Sequence, residues 1–288
     1  METRTALAPA KVNLFLHVGP VDAAGFHPLA SLVAFADVGD RITVAPSERL
    51  SLTIEGLFAA ELAGPGDNLI LRALRALGEA AGIGEPPLAV TLDKRLPIAA
   101  GLGGGSSDAG AALKLARDIL ALDLTDDALA DIAATIGADG PMCLYARTAW
   151  AEGRGERLTP EPRLPSLPAL LINPGVASPT GEVYRAYDVG PPAAADRPTP
   201  PPAWDVATVV DWLAAQRNDL QDAAVARAPA IGEALAAAAA LPDARLVRMS
   251  GSGATVFALF ETAAAALSAA RLMATNRPRW WITTTNLG

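Results

Sequence analysis

The sequence predicts an α+β protein of two domains, and three observations carry that expectation. Short apolar runs that read as strands interleave with runs of helical periodicity along the chain. Its 288 residues exceed the roughly 150 typical of one domain. A stretch rich in Gly, Pro and charge, Glu152 to Pro168, divides it into parts of similar length. The expected domains are therefore 1–152 and 153–288.

In the first part, Ala10 to Val18 reads as a strand, with Lys11, Asn13, Phe15 and His17 on one face and Val12, Leu14, Leu16 and Val18 on the other. The polar face is expected to be a binding floor or a solvated sheet surface. Arg41 to Ala45 and Leu50 to Ile54 read as further strands. Asp67-Asn68 supplies a polar cap before an apolar stripe (Leu69, Ile70, Leu74, Leu77) that predicts a helix to about Ala81. Leu88 to Leu92 is a strand, Gly101 to Gly105 a loop, and Ser106 to Leu120 a helix. Thr125 caps another helix, ended by Gly137, and Met142 to Ala151 is expected to be a strand.

In the second part, Ala169 to Asn173 reads as a buried strand and the Pro-rich run Gly190 to Pro202 as an exposed loop. Ala-rich helices extend to Leu241. Strand Leu246–Met249, a second glycine loop, strand Thr255–Phe260, a helix, and strand Trp281–Thr285 complete the chain.

Composition narrows the function. Hydrophobic residues make up 51% and charged residues 19%, enough for a core and too apolar for disorder. Aromatics are few, so the core is expected to be aliphatic. A net charge of −8 argues against non-specific nucleic-acid binding, which needs a basic surface. Cys143 is the single cysteine, and His17 and His27 the two histidines, which excludes an intrachain disulfide or a Cys-rich zinc site. The longest uncharged stretch, Leu164 to Gly181, carries four prolines and cannot span a membrane. The amino terminus shows no leader pattern, so a cytoplasmic location is expected.

The strongest local signal is Leu96 to Gly110, LPIAAGLGGGSSDAG. Glycines let the backbone approach a ligand, and the start of the following helix offers unpaired N–H groups and a positive dipole end. This combination suits phosphate. No Gly-Lys-Ser/Thr follows, which excludes a P-loop, and the glycine spacing does not fit a dinucleotide fingerprint. Asp108 would repel phosphate from inside the loop; at the helix start it complements the dipole. A second glycine loop, Ser250 to Ala254, is either a hairpin or the other side of a phosphate clamp. Lysines number three against 20 arginines, which draws attention to Lys11, Lys94 and Lys114, the last expected to be solvated. Asp139, between Gly137 and Gly140-Pro141, is either a turn residue or a carboxylate placed to take a hydroxyl proton.

Taken together, Ala8 to Leu14 (APAKVNL), Leu96 to Asp108, and Met249 to Thr255 (MSGSGAT) resemble the GHMP kinase superfamily. Gly25-Phe26-His27, Asp67-Asn68-Leu69, Gly137-Ala138-Asp139 and Asn173 to Thr180 are similar to its branch acting on 4-diphosphocytidyl-2-C-methyl-D-erythritol in the non-mevalonate isoprenoid pathway. The resemblance implies a two-domain fold: an N-terminal βαβ-containing nucleotide-binding domain, a C-terminal ferredoxin-like α/β sandwich, and an active site in the cleft between them. It implies ATP-dependent phosphorylation of the 2-hydroxyl of that substrate. Lys11 and Asp139 would be the catalytic pair, and Asn13, Phe26, His27, Thr180 and Tyr184 would hold the substrate. Phe26 stands where the family more often has Tyr, and Gly140 where it usually has a branched aliphatic residue. Gly101, Leu102, Gly103, Gly104, Gly105, Ser106 and Ser107 would wrap the ATP phosphates, with Asn68, Leu69, Lys94 and Pro97 also on the ATP side. Gly251, Ser252 and Gly253 form the second glycine loop. Mg²⁺ is the implied metal, with Ser107 as a protein contact. The implied partners are small molecules, with no nucleic acid or membrane, and the implied state is a monomer or weak homodimer. A kinase for another alcohol (mevalonate, homoserine or sugar type) and a non-catalytic nucleotide-binding regulator stay open as alternatives.

Overall fold

The computed structural model describes residues 2–62, 68–191 and 193–288. The first elements in chain order are β1 (Arg4–Val18), β2 (Leu29–Pro46), β3 (Ser51–Glu55), α1 (Leu69–Ala80), β4 (Leu88–Asp93) and α2 (Gly104–Ile119). Next come α3 (Asp126–Ile136), α4 (Gly140–Tyr145), β5 (Ala149–Gly153), β6 (Arg157–Pro160), β7 (Leu167–Asn173), α5 (Thr180–Tyr187) and α6 (Val206–Ala214). The last are α7 (Gln221–Arg227), α8 (Pro229–Ala239), β8 (Leu246–Met249), β9 (Val256–Leu259), α9 (Ala263–Asn276) and β10 (Trp281–Leu287).

These elements form two compact units. Unit 1 comprises the described parts of Met1–Lys11, Val38–Ile98 and Gly103–Arg147, and unit 2 comprises Val12–Asp37, Ala99–Leu102 and Thr148–Gly288. Neither is a single stretch: residues 12–37 and 99–102, which precede the expected boundary at 152, pack with unit 2. The chain changes unit inside β1, inside β2 and inside the glycine loop.

In unit 1, β3 and β4 are parallel and α1 is the crossover between them, a βαβ arrangement; β4 pairs antiparallel with the Arg41–Pro46 end of β2. Ile70, Ala73, Leu74 and Leu77 lie on the buried stripe of α1, and Asn68 Oδ1 caps the helix by accepting from Ile70 N at 2.9 Å. Asp67 of the expected cap lies outside the described residues. The core joins this stripe to Ile42, Val44, Leu88 and Leu92 on the strands and to Leu113, Leu129 and Leu144 on the other helices. Each such aliphatic side chain contributes roughly 1.5–3 kcal/mol of transfer free energy.

In unit 2, β7, β8, β9 and β10 form an antiparallel sheet in the order β10-β7-β9-β8. Numbered within the unit, that is 4-1-3-2 with helices between strands one and two and between strands three and four, the ferredoxin-like α/β sandwich. The apolar faces of α7, α8 and α9 supply Ala224, Ile231, Ala234, Ala266 and Met273 to its core with Val256 and Phe260. Small alanines let these helices lie close to the sheet, which is how so few aromatics suffice.

Four sequence expectations are corrected. Residues 140–145 form helix α4, not the beginning of a strand: Asp139 starts it, Pro141 presets φ in its first turn, and Ala146 at φ 48° ends it. The strand expected over Met142 to Ala151 is β5 alone. The Glu152 to Pro168 stretch is not an open linker. It contains β6, and its Glu161, 3% exposed, accepts from Trp150 Nε1 (3.0 Å) and from Arg163 Nε (2.7 Å) and Nη2 (2.8 Å). The Arg163 hydrogen bonds, outweighing the desolvation that burial brings, hold that carboxyl at about 2. Both faces of β1 from Lys11 to Val18 are buried, so the polar face is not solvated. Lys114 is half-buried, and desolvation lowers its pKa. Gly190 to Pro202 has no helix or strand among its described residues, as expected.

Candidate active site

Within unit 1, Lys11 and Asp139 meet: Lys11 Nζ lies 3.1 Å from Asp139 Oδ2. Lys11 comes from β1 and is 7% exposed, whereas Asp139 is 40% exposed. Asp139 is the N-cap residue of α4, yet its side chain makes no cap hydrogen bond, so the carboxylate is turned toward the ammonium and solvent. A half-exposed acid beside a buried cation can accept a proton from an incoming hydroxyl.

The glycine loop runs beside this pair. Gly103 adopts a left-handed conformation (φ 62°, ψ 17°) as the N-cap of α2, and no side chain caps the helix. A Cβ at Gly103 would stand 3.1 Å from Lys11 Cε and 3.3 Å from Cys143 Sγ, so with φ at +62° any larger residue would strain the backbone and press on the lysine. The helix starts at Gly104, two residues earlier than the apolar pattern indicates. Gly104, Gly105 and Ser106 therefore form its first turn, whose N–H groups lack intrahelical partners and suit an anion. Leu69 of α1 packs at Gly105, where an added Cβ would be 3.1 Å from Leu69 Cδ1. Pro97 is buried upstream.

Lys94 is buried rather than extended toward solvent. Its Nζ is 2.5 Å from Asp40 Oδ2 and 2.8 Å from Asp108 Oδ2. Burial disfavours its charge, but Asp108 and Asp40 outweigh that and raise its pKa. Asp108, pushed up to about 7 by burial and by Asp40 against the pull of Lys94, faces this cluster and not the loop. Asp40 carries no sequence signal, because no pattern ties it to residues 54 and 68 positions away. The Ser107 hydroxyl is buried beside the Cys143 thiol and makes no conventional hydrogen bond among the described residues. Burial pushes that thiol up to about 12, so Cys143 is a small neutral filler beside Lys11 and not a nucleophile.

Within unit 2, Ala99–Leu102 is bound to the second glycine loop. Ser250 Oγ donates to Gly101 O at 2.9 Å and accepts from Asn13 N at 3.1 Å, and Thr255 N donates to Ala100 O at 3.1 Å. Gly101 has φ +72°, and a Cβ there would lie 2.2 Å from Ser250 O. Leu102 is 1% exposed. Gly251, Ser252 and Gly253 are buried, and Asn218 Nδ2 donates to Gly251 O at 2.8 Å. Thr180, at the start of α5, pairs its hydroxyl with Ser252 Oγ at 2.9 Å. Asn13 Nδ2 donates to Ser31 Oγ at 2.8 Å.

Phe26, 49% exposed, carries the Arg154 guanidinium 3.7 Å from its ring centroid. His27 lies 5.1 Å from Tyr184, ring to ring. Both its ring nitrogens are engaged: Nδ1 is 2.7 Å from Gly19 O and Nε2 is 3.1 Å from Asp188 Oδ1. Arg154 and Asp188 carry no sequence signal, since each acts through a neighbour distant along the chain.

A glycine-rich helix start with a lysine–aspartate pair beside it is the kind of arrangement that suits binding a phosphate and moving a hydroxyl proton, as small-molecule phosphotransferases require. The GHMP kinases N terminal domain model matches residues 68–147 and the GHMP kinases C terminal model residues 207–275. The chain is 53% identical over 281 residues to the 4-diphosphocytidyl-2-C-methyl-D-erythritol kinase of Caulobacter vibrioides (strain NA1000 / CB15N), covering 96% of this chain and 97% of that one. It is 47% identical over 282 residues to the protein of the same name from Dinoroseobacter shibae, covering 97% and 93%. The crystal structure of a 4-(cytidine 5'-diphospho)-2C-methyl-D-erythritol kinase superposes with a TM-score of 0.79 at 35% identity over 99% of each chain. A mevalonate kinase crystal structure matches with a TM-score of 0.70 at 11% identity over 100% and 99% of the two chains, a likeness of fold alone. The chain belongs to the GHMP kinase family and is an ATP-dependent phosphotransferase. Among the described residues no helix is long and apolar enough to cross a membrane.

Proposed function

We propose that this kinase transfers the terminal phosphoryl group of ATP to the 2-hydroxyl of 4-diphosphocytidyl-2-C-methyl-D-erythritol, a step toward isoprenoid precursors. The observation that carries the chemistry is the 3.1 Å Lys11–Asp139 pair beside the glycine loop. Asp139 takes the hydroxyl proton as the oxygen attacks phosphorus, and Lys11, paired with that carboxylate, faces the charge that develops. The amides of Gly104, Gly105 and Ser106 hold the phosphates in place, which is most of what phosphoryl transfer asks of a protein. Asn68, Leu69, Lys94 and Pro97 serve the ATP side from beneath and beside the loop.

The cytidyl substrate is assigned to Asn13, Phe26, His27, Thr180 and Tyr184. Phe26 and Tyr184 offer ring faces, and His27, its ring nitrogens engaged by Gly19 and Asp188, packs against Tyr184 and orients it. The substrate identity is supported by relatives at 53% and 47% identity that carry that name.

Mg²⁺ fits the donors present. Among the described residues no three His, Cys, Asp or Glu side chains gather to cage an ion, but the buried Ser107 hydroxyl, without a conventional hydrogen bond, is an oxygen ligand of the kind Mg²⁺ takes alongside phosphate and water. Held by Ser107, phosphate oxygens and water, Mg²⁺ would supply neutralisation of phosphate charge. A coupled ADP-release assay against the cytidyl substrate, its cytidyl-free alcohol, mevalonate and homoserine tests the assignment. Turnover confined to the cytidyl compound is expected, and equal or better turnover of another alcohol overturns it.

A further inference from the structure

Beneath the glycine loop, unit 1 buries two carboxylates and one ammonium with side-chain exposures of 4% or less. Such a cluster is a poor means of stabilising a fold, because desolvation offsets most of the attraction and an apolar replacement of equal volume often serves as well. Its placement is what stands out. Asp40 Oδ1 accepts from Arg95 N at 2.6 Å and Leu96 N at 2.8 Å, fixing the backbone where the chain leaves β4 and enters the loop. Asp108 sits in the first turns of α2, where the chain leaves the loop. Lys94 joins the two acids, and its Nζ lies so close under Gly104 that an added Cβ would be 3.1 Å away. One ammonium thus ties together the entry and the exit of the loop, and touches the first helical residue.

We propose that Asp40, Lys94 and Asp108 are positioning residues that set the glycine loop in its anion-binding conformation and thereby the affinity for the triphosphate co-substrate. The proposal rests on the reading of the loop as the ATP cradle. The rest of the cluster's geometry supports it. Asp108 Oδ2 accepts from Lys94 Nζ at 2.8 Å, so the helix that leaves the loop is tied to the same ammonium that Asp40 holds at the loop's entry. All three side chains are buried, with exposures of 4% or less, so they act through the backbone they hold.

The test compares wild type with Asp40→Asn and Asp108→Asn, measuring ATP binding with a fluorescent ATP analogue, KM for each substrate, kcat and Tm. Both changes keep side-chain shape; Asp108→Asn also leaves the Lys94–Asp40 pair intact and carries the test should Asp40→Asn fail to fold. The expected result is a KM for ATP raised roughly tenfold by displacement of the loop, with kcat at saturation and KM for the cytidyl alcohol within about threefold of wild type. An unchanged KM for ATP in a folded variant, even with a lowered Tm, overturns the proposal while the cradle reading stands. Failure of the wild-type protein to bind the analogue overturns the cradle reading and the proposal with it.

Discussion

Replacing Asp139 with Asn separates chemistry from structure at this site, because the side chain has so little structural work. It makes no cap hydrogen bond to α4, is 40% exposed, and has the Lys11 ammonium at 3.1 Å. Asn keeps the volume and loses the proton acceptor. Loss of a positioned base costs roughly 10²–10⁴ in kcat, or about 3–5 kcal/mol of transition-state stabilisation at 1.36 kcal/mol per decade. Lys11 keeps its other interactions, and the pair it loses is partly screened by water, so the cost in stability is about 1 kcal/mol and Tm falls by about 2–4 °C. The assay is ADP release at saturating ATP and substrate, with nucleotide binding and thermal melting of the same preparations. Turnover within a few-fold of wild type, with a native melt, would refute the assignment of Asp139 as base. Loss of ATP affinity in parallel with kcat would assign it to binding instead.

Three further outcomes follow from the packing and charge arrangements. At Gly140 a Cβ would stand 2.1 Å from Ala133 O, a backbone atom that cannot swing aside, so Gly140→Val is expected to cost about 1–3 kcal/mol and lower Tm; an unchanged melt would show that α3 yields freely. Phe26→Ala removes the ring over which Arg154 lies and should weaken the cytidyl substrate by about 1–3 kcal/mol without altering KM for ATP; equal KM values for the cytidyl substrate would remove Phe26 from its binding. The Glu161 carboxyl is held at about 2, below its ordinary 4.5, by Arg163. Its contribution to stability is therefore complete above pH 4.5 and lost as pH falls toward 2. Unfolding midpoints from pH 7 to 2.5 should decline less steeply for Glu161→Gln than for wild type, and parallel curves would contradict this.

Local chemistry made much of this legible in advance. The period-two and period-3.6 patterns located most strands and helices, Asn68 and Thr125 marked helix starts, and the glycine run announced close backbone approach, because each depends on neighbours within a few residues. Helix α4 carries no such signal, since six residues are too few for periodicity to tell a short helix from a strand. The GHMP resemblance supplied roles that no local rule yields.

What the sequence determined alone is the set of parts: a glycine-rich loop leading into a helix, a scarce lysine on a strand, an acid in a Gly-Pro turn, and an aliphatic core in an α+β arrangement. Only the tertiary structure decided which parts meet. Lys11 and Asp139 lie far apart along the chain yet 3.1 Å apart in space, Lys94 is committed to Asp40 and Asp108, and His27 is fixed by Gly19 and Asp188. Pairings of this kind are made by sheet register and helix packing, whose energies are summed over the whole core, so no short stretch of sequence carries them.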